Sequence, residues 1–223
     1  MLKINDTHLA AVVADICRFA QTCGGKALVV GGAVRDSVIG RAVSDIDIEI
    51  FGVAPERVKG ELGSRYRLDL VGEAFGVLKL HGMSIDVAIP RRESKAGLGH
   101  KAFDILSDPC LSVKEAALRR DFTINAMSVD PLTGEVFDYY GGMADLEARV
   151  LRHTSVKFAE DPLRVLRGMQ FAARFDLCVA PETVALCRSM DMHGLARERV
   201  FAEGQARAAR GRALARTGLS QGV

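Results

Sequence analysis

The sequence lacks the features of a secreted, zinc-binding or membrane protein. Its five cysteines are odd in number and form no Cys-x-x-Cys pair, and its five histidines form no cluster with zinc-ligand spacing. No apolar run approaches the roughly 18–20 residues that span a bilayer, and the N-terminus has no signal-peptide pattern. We therefore expect a cytoplasmic protein with reduced thiols, no zinc and no membrane partner.

The composition is that of an ordinary globular protein, and the charge is unevenly distributed along the sequence. Its 223 residues are 48% hydrophobic, enough for one core with a smaller appended unit, and the net charge is +2. Acids are frequent in the first half and arginines in the last quarter. This asymmetry fits an acidic metal site beside a basic surface for a polyanion, although a solvated helix face is the plainer interpretation of the arginines.

A short apolar run, Lys26 to Val30, ends at paired glycines and predicts a buried strand followed by a tight turn and a helix. Gly31 and Gly32 have no side chain, so a triphosphate can approach the backbone N–H groups at the positive end of that helix. Arg35 would add a fixed positive charge. We therefore interpret this turn as a triphosphate site, whereas a lone Gly-Gly is usually only a turn.

Asp45 and Asp47 alternate with isoleucines, which predicts a strand with one face in the core and both carboxylates on the other. Residues two apart on a strand lie ~6.6 Å apart, so their oxygens can converge on two divalent ions, a pair that activates a hydroxyl and stabilises leaving pyrophosphate. Asp86 interrupts a later apolar strand. A metal ion and a buried salt bridge are about equally good partners for it.

Together, Gly31-Gly32-Ala-Val-Arg35-Asp and Asp45-Ile-Asp47 resemble the nucleotidyltransferase superfamily of DNA polymerase beta. The resemblance is to its class II tRNA nucleotidyltransferases and bacterial poly(A) polymerases in particular. It implies that Asp45 and Asp47 bind the catalytic Mg²⁺ ions, and a third acid such as Asp86 recurs in the superfamily.

A second motif runs from Arg119 to Ala126 and reads Arg-Arg-Asp-Phe-Thr-Ile-Asn-Ala. From the residues alone, Arg119 and Arg120 can bind phosphate, and Asp121 and Asn125 can hold sugar hydroxyls, although a charge cluster at a helix end is the safer interpretation. The segment resembles the family's ribose-recognising motif, which implies that Asp121 reads the 2′-hydroxyl.

A third motif begins at Glu160-Asp161-Pro-Leu-Arg164, where Asp161 and Arg164 are neighbours on one helix face. Cytosine and adenine both present an amino donor beside a ring-nitrogen acceptor, so a carboxylate and a guanidinium can accept both and reject uracil and guanine. The plainer interpretation is a surface ion pair. The motif resembles the family's amino-acid template, with Arg167 expected to help hold the base or triphosphate. Gly168 and Gln170 depart from the alanine and arginine common there.

Pattern and caps predict the remaining elements. We expect helices at Thr7–Gln21, Pro55–Leu62, from Ser112 with a capping box to Glu115, and at Pro181–Met190; strands at Arg65–Val71, Val77–Leu80 and Ile85–Ile89; a hairpin between Met127 and Tyr140; and a mobile loop at Arg91–Phe103. The segment with Gly141–Gly142 resembles the family's hinge, although a plain turn explains the glycines equally well, and Glu198–Glu203 resembles its neck-stabilising motif.

The combined expectation is an α/β (α+β) nucleotidyltransferase head with a mixed β-sheet flanked by helices in residues 1–148, then an all-α neck with a shortened C-terminus in 149–223. The expected reaction is Mg²⁺-dependent transfer of C and A residues from CTP and ATP to the 3′ end of tRNA. One alternative is a bacterial poly(A) polymerase. Another is a truncated nucleotide- or RNA-binding relative without turnover, since family members usually continue into body and tail domains; a partner or a homo-oligomer would then replace the missing RNA grip.

Overall fold

The computed structural model describes residues 2–69, 76–95 and 103–192. Seven α-helices lie in these ranges: α1 Thr7–Thr22, α2 Gly32–Val38, α3 Pro55–Arg65, α4 Val113–Ala117, α5 Gly142–Glu147, α6 Leu163–Phe175 and α7 Pro181–Ser189. Two 3₁₀ helices span Thr123–Asn125 and Val156–Glu160. Within the described ranges, no helix has the length and apolar character needed to cross a membrane.

The strands are β1 Lys26–Val30, β2 Ile46–Phe51, β3 Leu68–Asp69, β4 Val77–Leu80, β5 Ile85–Ala88, β6 Arg91–Lys95, β7 Phe103–Ser107, β8 Ser128–Val129, β9 Val136–Phe137, β10 Val150–Leu151 and β11 Cys178–Val179. Seven of them form the main sheet in the order β3-β4-β5-β2-β1-β8-β9. The pair β2 and β5 is parallel and its other pairs are antiparallel. The expected mixed sheet flanked by helices is confirmed.

Strand β2 shows how the pattern of the sequence produces the sheet. Ile46, Ile48 and Ile50 are at most 1% exposed, whereas Asp47 on the opposite face is exposed. Helix α1 covers the core side with Val13, Ile16 and other apolar residues, and Asp6 caps it by accepting hydrogen bonds from the N–H groups of His8 and Leu9. The apolar face of β2 is therefore in the core and its acidic face is left open.

Two expectations about element boundaries were wrong. The segment expected as a mobile loop has antiparallel strands at its two ends, with Arg91 opposite Ser107 and Lys95 opposite Phe103; residues 96–102 lie outside the described ranges. A two-stranded ribbon pairs backbone groups with each other, so polar side chains do not prevent it from forming. Helix α3 also continues to Arg65, where a strand was expected, because Arg65 forms ion pairs with Asp15 and Glu61; β3 is correspondingly short.

The main sheet and the helices that follow it share a core, with no break at the head–neck boundary expected after residue 148. Phe122 is fully buried and packs edge-on against Phe158 and Phe171, with ring centroids 5.3 and 5.7 Å away. The neck is not all α, because Cys178–Val179 pairs in parallel with Val150–Leu151. The neck-stabilising motif expected at Glu198–Glu203 lies outside the described residues.

Candidate active site

The glycine turn is built around a backbone conformation that other residues rarely adopt. Gly31 has φ 69° and ψ −125° at the start of α2. A Cβ atom there would lie 2.8 Å from Nη1 of Arg120, so glycine also admits that guanidinium. The Gly31 N–H donates to the carbonyl of Met127 at 3.0 Å. This N–H is therefore engaged with the chain itself, and the position of Arg120 supplies positive charge at the turn.

The acidic face of β2 lies next to this turn. Asp47 of β2 is opposite Asp86 of the parallel strand β5, and Asp45 precedes β2 by one residue. Desolvation by surrounding atoms raises the pKa of the Asp47 carboxyl; Arg120 lowers it, and the charges of Asp86, Asp45 and Glu49 raise it again, so the net pKa is raised. A divalent cation would relieve this crowding of negative charge.

Asp86 has one of the two kinds of partner that the sequence left open, an ion pair. Its Oδ2 accepts from Nζ of Lys79 on β4 at 2.6 Å, which is an ion pair near the surface. It also lies opposite Asp47 and contributes to the raised pKa of that carboxyl. Among the described residues, no group of three His, Cys, Asp or Glu side chains has metal-binding geometry. Lys79 therefore holds Asp86 beside Asp47, and metal binding by Asp45 and Asp47 stays a prediction.

Glu49 is a site residue that the sequence motifs did not single out. Its Oε1 lies 2.6 Å from Nη2 of Arg120, and both side chains are about one-fifth exposed. The available signal was its spacing, because Glu49 follows Asp47 by two residues on the same face of β2. Glu49 thus links the acidic strand to the arginine beside Gly31.

Asp121 lies at the centre of a second polar cluster, and it is 7% exposed. Its Oδ1 accepts from the Phe122 N–H at 2.8 Å and from Nδ2 of Asn125 at 3.0 Å. Its Oδ2 accepts from Nε and Nη2 of Arg167, at 2.9 and 2.8 Å. The cluster brings the expected ribose reader together with an arginine of the neck helix α6.

Arg35 lies beneath this cluster and is 4% exposed. Burial lowers the pKa of its guanidinium, while Asp36 raises it. Nη1 donates to Oδ1 of Asn125 at 2.6 Å, and Nε donates to Oδ1 of Asp36 at 2.9 Å. The arginine expected to bind triphosphate is thus engaged inside the protein.

The template residues lie on either side of the start of α6: Arg164 is its second residue, whereas Asp161 precedes the helix in extended backbone, so the two do not share a helix face as expected. Oδ1 of Asp161 accepts from the Leu163 N–H at 3.1 Å, and Arg164 donates from Nη1 and Nη2 to the carbonyls of Lys157 and Arg119, at 2.9 and 2.8 Å. Arg119 also approaches Glu160, with Nη2 3.4 Å from Oε2. The structure therefore brings the second and third motifs together, and base reading by Asp161 and Arg164 stays a prediction.

This combination of a mixed sheet, a glycine turn and an acidic strand is that of a nucleotidyltransferase head. The profile of the family described as the poly A polymerase head domain matches residues 27–152, which is 126 of the 223 residues. The chain belongs to this family.

Two curated relatives of the chain are multifunctional CCA proteins. The chain is 44% identical over 183 residues to the multifunctional CCA protein of Nitrosospira multiformis, covering 80% of this chain and 43% of that protein. It is 42% identical over 185 residues to the multifunctional CCA protein of Xanthomonas campestris pv. campestris, covering 80% and 44%. The chain thus spans less than half the length of these relatives.

Solved structures that resemble this chain include CCA-adding enzymes and a tRNA nucleotidyltransferase. An apo CCA-adding enzyme has a TM-score of 0.67 at 30% identity, covering 82% of this chain and 44% of that one. The Bacillus stearothermophilus CCA-adding enzyme in complex with CTP has a TM-score of 0.64 at 28% identity, covering 77% and 41%. A tRNA nucleotidyltransferase complexed with a primer tRNA and an incoming ATP analog has a TM-score of 0.61 at 33% identity, covering 77% and 48%.

Proposed function

We propose that the chain carries the head and neck of a template-independent RNA nucleotidyltransferase that adds C and A residues from CTP and ATP to the 3′ end of tRNA. The observation that carries this proposal is the contact of Arg120 with both Gly31 and Glu49. This one side chain joins the turn expected to receive a triphosphate to strand β2, which bears Asp47 and directly follows Asp45. The relatives named as CCA proteins support the same reaction.

The residues around Asp47 suit a hard divalent cation. Carboxylate oxygens are the ligands that Mg²⁺ prefers. Burial raises the pKa of the Asp47 carboxyl, and the charges of Asp86, Asp45 and Glu49 raise it against the opposing charge of Arg120. Asp45 and Asp47 would hold the metal, in a two-ion site by resemblance to the superfamily. Bound Mg²⁺ would supply activation of the attacking RNA hydroxyl and charge stabilisation for pyrophosphate.

The protein groups divide the remaining tasks. Arg120 places positive charge at the glycine turn, where the phosphates of CTP or ATP would lie against Gly31 and Gly32. Asp121 would accept a hydrogen bond from the ribose 2′-hydroxyl. Asp161 would accept a hydrogen bond from the amino group that cytosine and adenine share, and Arg164 would donate one to the neighbouring ring nitrogen. Each assignment rests on the motif resemblance together with the positions described above.

The test is incorporation from each of the four labelled nucleoside triphosphates into tRNA transcripts that end before CCA, after C and after CC, with Mg²⁺. Ordered addition of C, C and then A, confined to tRNA, is the expected result. The double variant Asp45→Ala/Asp47→Ala should be inactive. The control Asp69→Asn, which changes a carboxylate paired with His81 on the edge strand β3, should be active.

Two other outcomes would favour a different function. Extension of many RNAs by A alone would indicate a poly(A) polymerase, an alternative consistent with the name of the matching family. Binding of CTP and ATP without turnover would indicate a nucleotide-binding protein that needs further domains or a partner to hold RNA.

A further inference from the structure

Four charged side chains form a row across four neighbouring strands of the main sheet. Asp69 of β3 lies opposite Lys79 of β4, Lys79 lies opposite Asp86 of β5, and Asp86 lies opposite Asp47 of β2. Residues that are directly opposite each other on neighbouring strands point to the same face of the sheet. The row therefore places Lys79 on the face that carries Asp47, with Asp86 between them.

Within this row, Lys79 pairs with Asp86. Its Nζ donates to Oδ2 of Asp86 at 2.6 Å, whereas Oδ1 of Asp69 contacts Nδ1 of His81 at 2.7 Å. The side chains of Lys79 and Asp86 are 46% and 32% exposed. An exposed ion pair adds little stability, and a lysine ammonium group moves on a flexible stem. Asp86 can therefore exchange this ammonium group for another cation.

The other neighbour of Asp86 is a carboxylate expected to bind metal. Neighbouring strands are ~4.8 Å apart, so the carboxylate of Asp86 is within reach of a cation bound at Asp47. Burial raises the pKa of the Asp47 carboxyl, Arg120 lowers it, and the charge of Asp86 is among those that raise it again. A divalent cation at Asp47 would attract Asp86 away from Lys79. The ammonium group and the metal thus compete for one carboxylate.

We propose that Lys79 is a positioning residue of the metal site: it holds Asp86 by Oδ2 and competes with the divalent cation for that carboxylate. Binding of the metal then requires Asp86 to exchange the ammonium group for the cation, so Lys79 lowers the metal affinity of the site. When no metal is bound, Lys79 offsets part of the negative charge on this face. The inference deepens the proposed function and rests on it, since it assumes metal binding at Asp45 and Asp47.

The experiment measures binding of Mn²⁺ to the full chain without nucleotide or RNA, from the electron paramagnetic resonance signal of free Mn²⁺. Mn²⁺ is the probe because it takes the same carboxylate ligands as Mg²⁺. We expect Lys79→Met to bind Mn²⁺ about fivefold more tightly than wild type, which is ~1 kcal/mol and the upper value for an exposed ion pair. Unchanged or weaker binding would overturn the proposal.

A double-mutant cycle tests whether the effect passes through Asp86. In Asp86→Asn the neutral amide gives Lys79 no carboxylate to hold. Adding Lys79→Met to this variant should therefore leave its Mn²⁺ affinity unchanged. An equal gain with and without Asp86 would show that Lys79 acts by its charge at a distance, and it would overturn the proposal.

Two further variants separate the ion pair from the net charge. Lys79→Arg keeps a cation that can pair with Asp86, so it should bind Mn²⁺ as wild type does. Lys26→Met is the matched control, because it removes the same charge from β1, four residues before the residue opposite Asp47. It should also keep the wild-type affinity. A fivefold gain in either variant would contradict competition by the Lys79 ammonium group.

A metal-site variant separates this inference from the proposed function. If Asp45→Ala/Asp47→Ala binds Mn²⁺ as wild type does, the metal lies elsewhere and the inference fails together with the proposed metal site. If this double variant loses Mn²⁺ binding and Lys79→Met shows no gain, the inference alone fails.

Discussion

Arg120 contributes a positive charge that offsets the acidic side chains of the site. Its Nη2 contacts Glu49, its Nη1 fills the space that a side chain at Gly31 would need, and its charge opposes the raised pKa of Asp47. Arg35, four residues after Gly31 in sequence, has the same formal charge but faces the interior. Two arginines near one turn therefore have different environments: Arg120 is partly exposed beside Glu49, and Arg35 is buried against Asn125.

Replacement of Asp47 by asparagine should stabilise the metal-free protein while removing its response to Mg²⁺. The folded-state pKa of Asp47 is above the ordinary 3.8, so its contribution to stability is present below that pH and is lost as pH rises through the folded pKa. At pH 7 the ionised carboxylate opposes folding, and asparagine removes this cost. Thermal unfolding in EDTA should give a higher midpoint for Asp47→Asn than for wild type.

The same measurement with Mg²⁺ at about 100 times its Kd should stabilise wild type by ~2.7 kcal/mol, or roughly 5–10 °C for a chain of this size. Asp47→Asn should show little of this rise. An equal rise in both proteins would place the metal elsewhere.

His153 should make the stability depend on pH near neutrality. Burial lowers the pKa of its imidazole from the ordinary 6.5, and the nearby charge of Arg152 lowers it further. The folded protein therefore prefers neutral His153, and this stability is present above pH 6.5 and is lost as pH falls through that value toward the folded pKa. We expect the unfolding free energy to fall less between pH 8 and pH 5.5 in His153→Gln than in wild type.

The matched control for this prediction is His8→Gln, in the exposed first turn of α1. It should keep the wild-type dependence on pH. A change in slope in the His8 variant and none in the His153 variant would show that the acid sensitivity does not come from His153. The test reports on the segment that follows β10, since the His153 ring contacts Thr183 of α7 through Nδ1 at 2.8 Å.

Helix α6 combines several tasks because of its residue spacing. Arg164 and Arg167 are three residues apart and contact the Arg119–Asp121 segment, while Phe171 and Phe175 are four apart and cover Arg35. Asp176 ends the helix in a left-handed conformation, φ 52°. One helix thus contacts the Arg119–Asp121 segment from its first half and covers Arg35 with its second half.

Gly168 of α6 lies where the packing against Phe122 leaves little room for a side chain. A Cβ there would lie 3.1 Å from Cζ of Phe122, and Phe122 is 0% exposed with rings on both sides. Alanine is the better helix former by ~1 kcal/mol, but overpacking a filled core costs roughly 1–3 kcal/mol. We expect Gly168→Ala to bring no gain in stability in urea unfolding, and a loss if Phe122 cannot shift.

Gly60 of α3 provides the comparison, because a Cβ there would meet nothing within 4 Å. Gly60→Ala should stabilise by ~1 kcal/mol, the full helix preference. Equal gains at Gly60 and Gly168 would contradict the packing argument.

Among the described residues, the larger of two apolar clusters extends from the main sheet to α6 and α7. Val13, Ile48 and Phe122 belong to the same buried cluster as Leu151 and Phe158, and residues of α6 and α7 pack against it. The ion pair between Asp121 and Arg167 crosses the same junction. Contacts of this kind couple the two parts energetically, so we expect them to unfold together.

Phe158→Ala tests this coupling, because removal of a fully buried phenylalanine costs ~3–5 kcal/mol. The chain has three tyrosines, Tyr66, Tyr139 and Tyr140, and no tryptophan, so tyrosine fluorescence reports on the head alone. In wild type, unfolding followed by tyrosine fluorescence and by far-UV circular dichroism should coincide. In Phe158→Ala both curves should shift together, whereas a shift in circular dichroism alone would show independent units.

Much of the fold could be predicted from local patterns. The alternation of Asp and Ile in β2, the capping box at Ser112 and Glu115, and the cap at Asp6 all depend on neighbours in sequence, and the structure has each of them. The ends of α3 and the pairing of β6 with β7 were not predictable in this way, because they depend on Asp15 and on backbone partners that are distant in the chain.

The sequence by itself determined which chemical groups are available: two aspartates on one strand face, a glycine turn, and two arginine-containing motifs. These follow from spacing, which local geometry converts directly into shared faces. Tertiary structure alone decided their partners. Arg120 faces the turn while Arg35 is buried against Asn125, Lys79 holds Asp86, and Arg167 reaches Asp121 from the neck. Long side chains are directed by packing and by charges from remote segments, and those contacts exist only once the chain has folded.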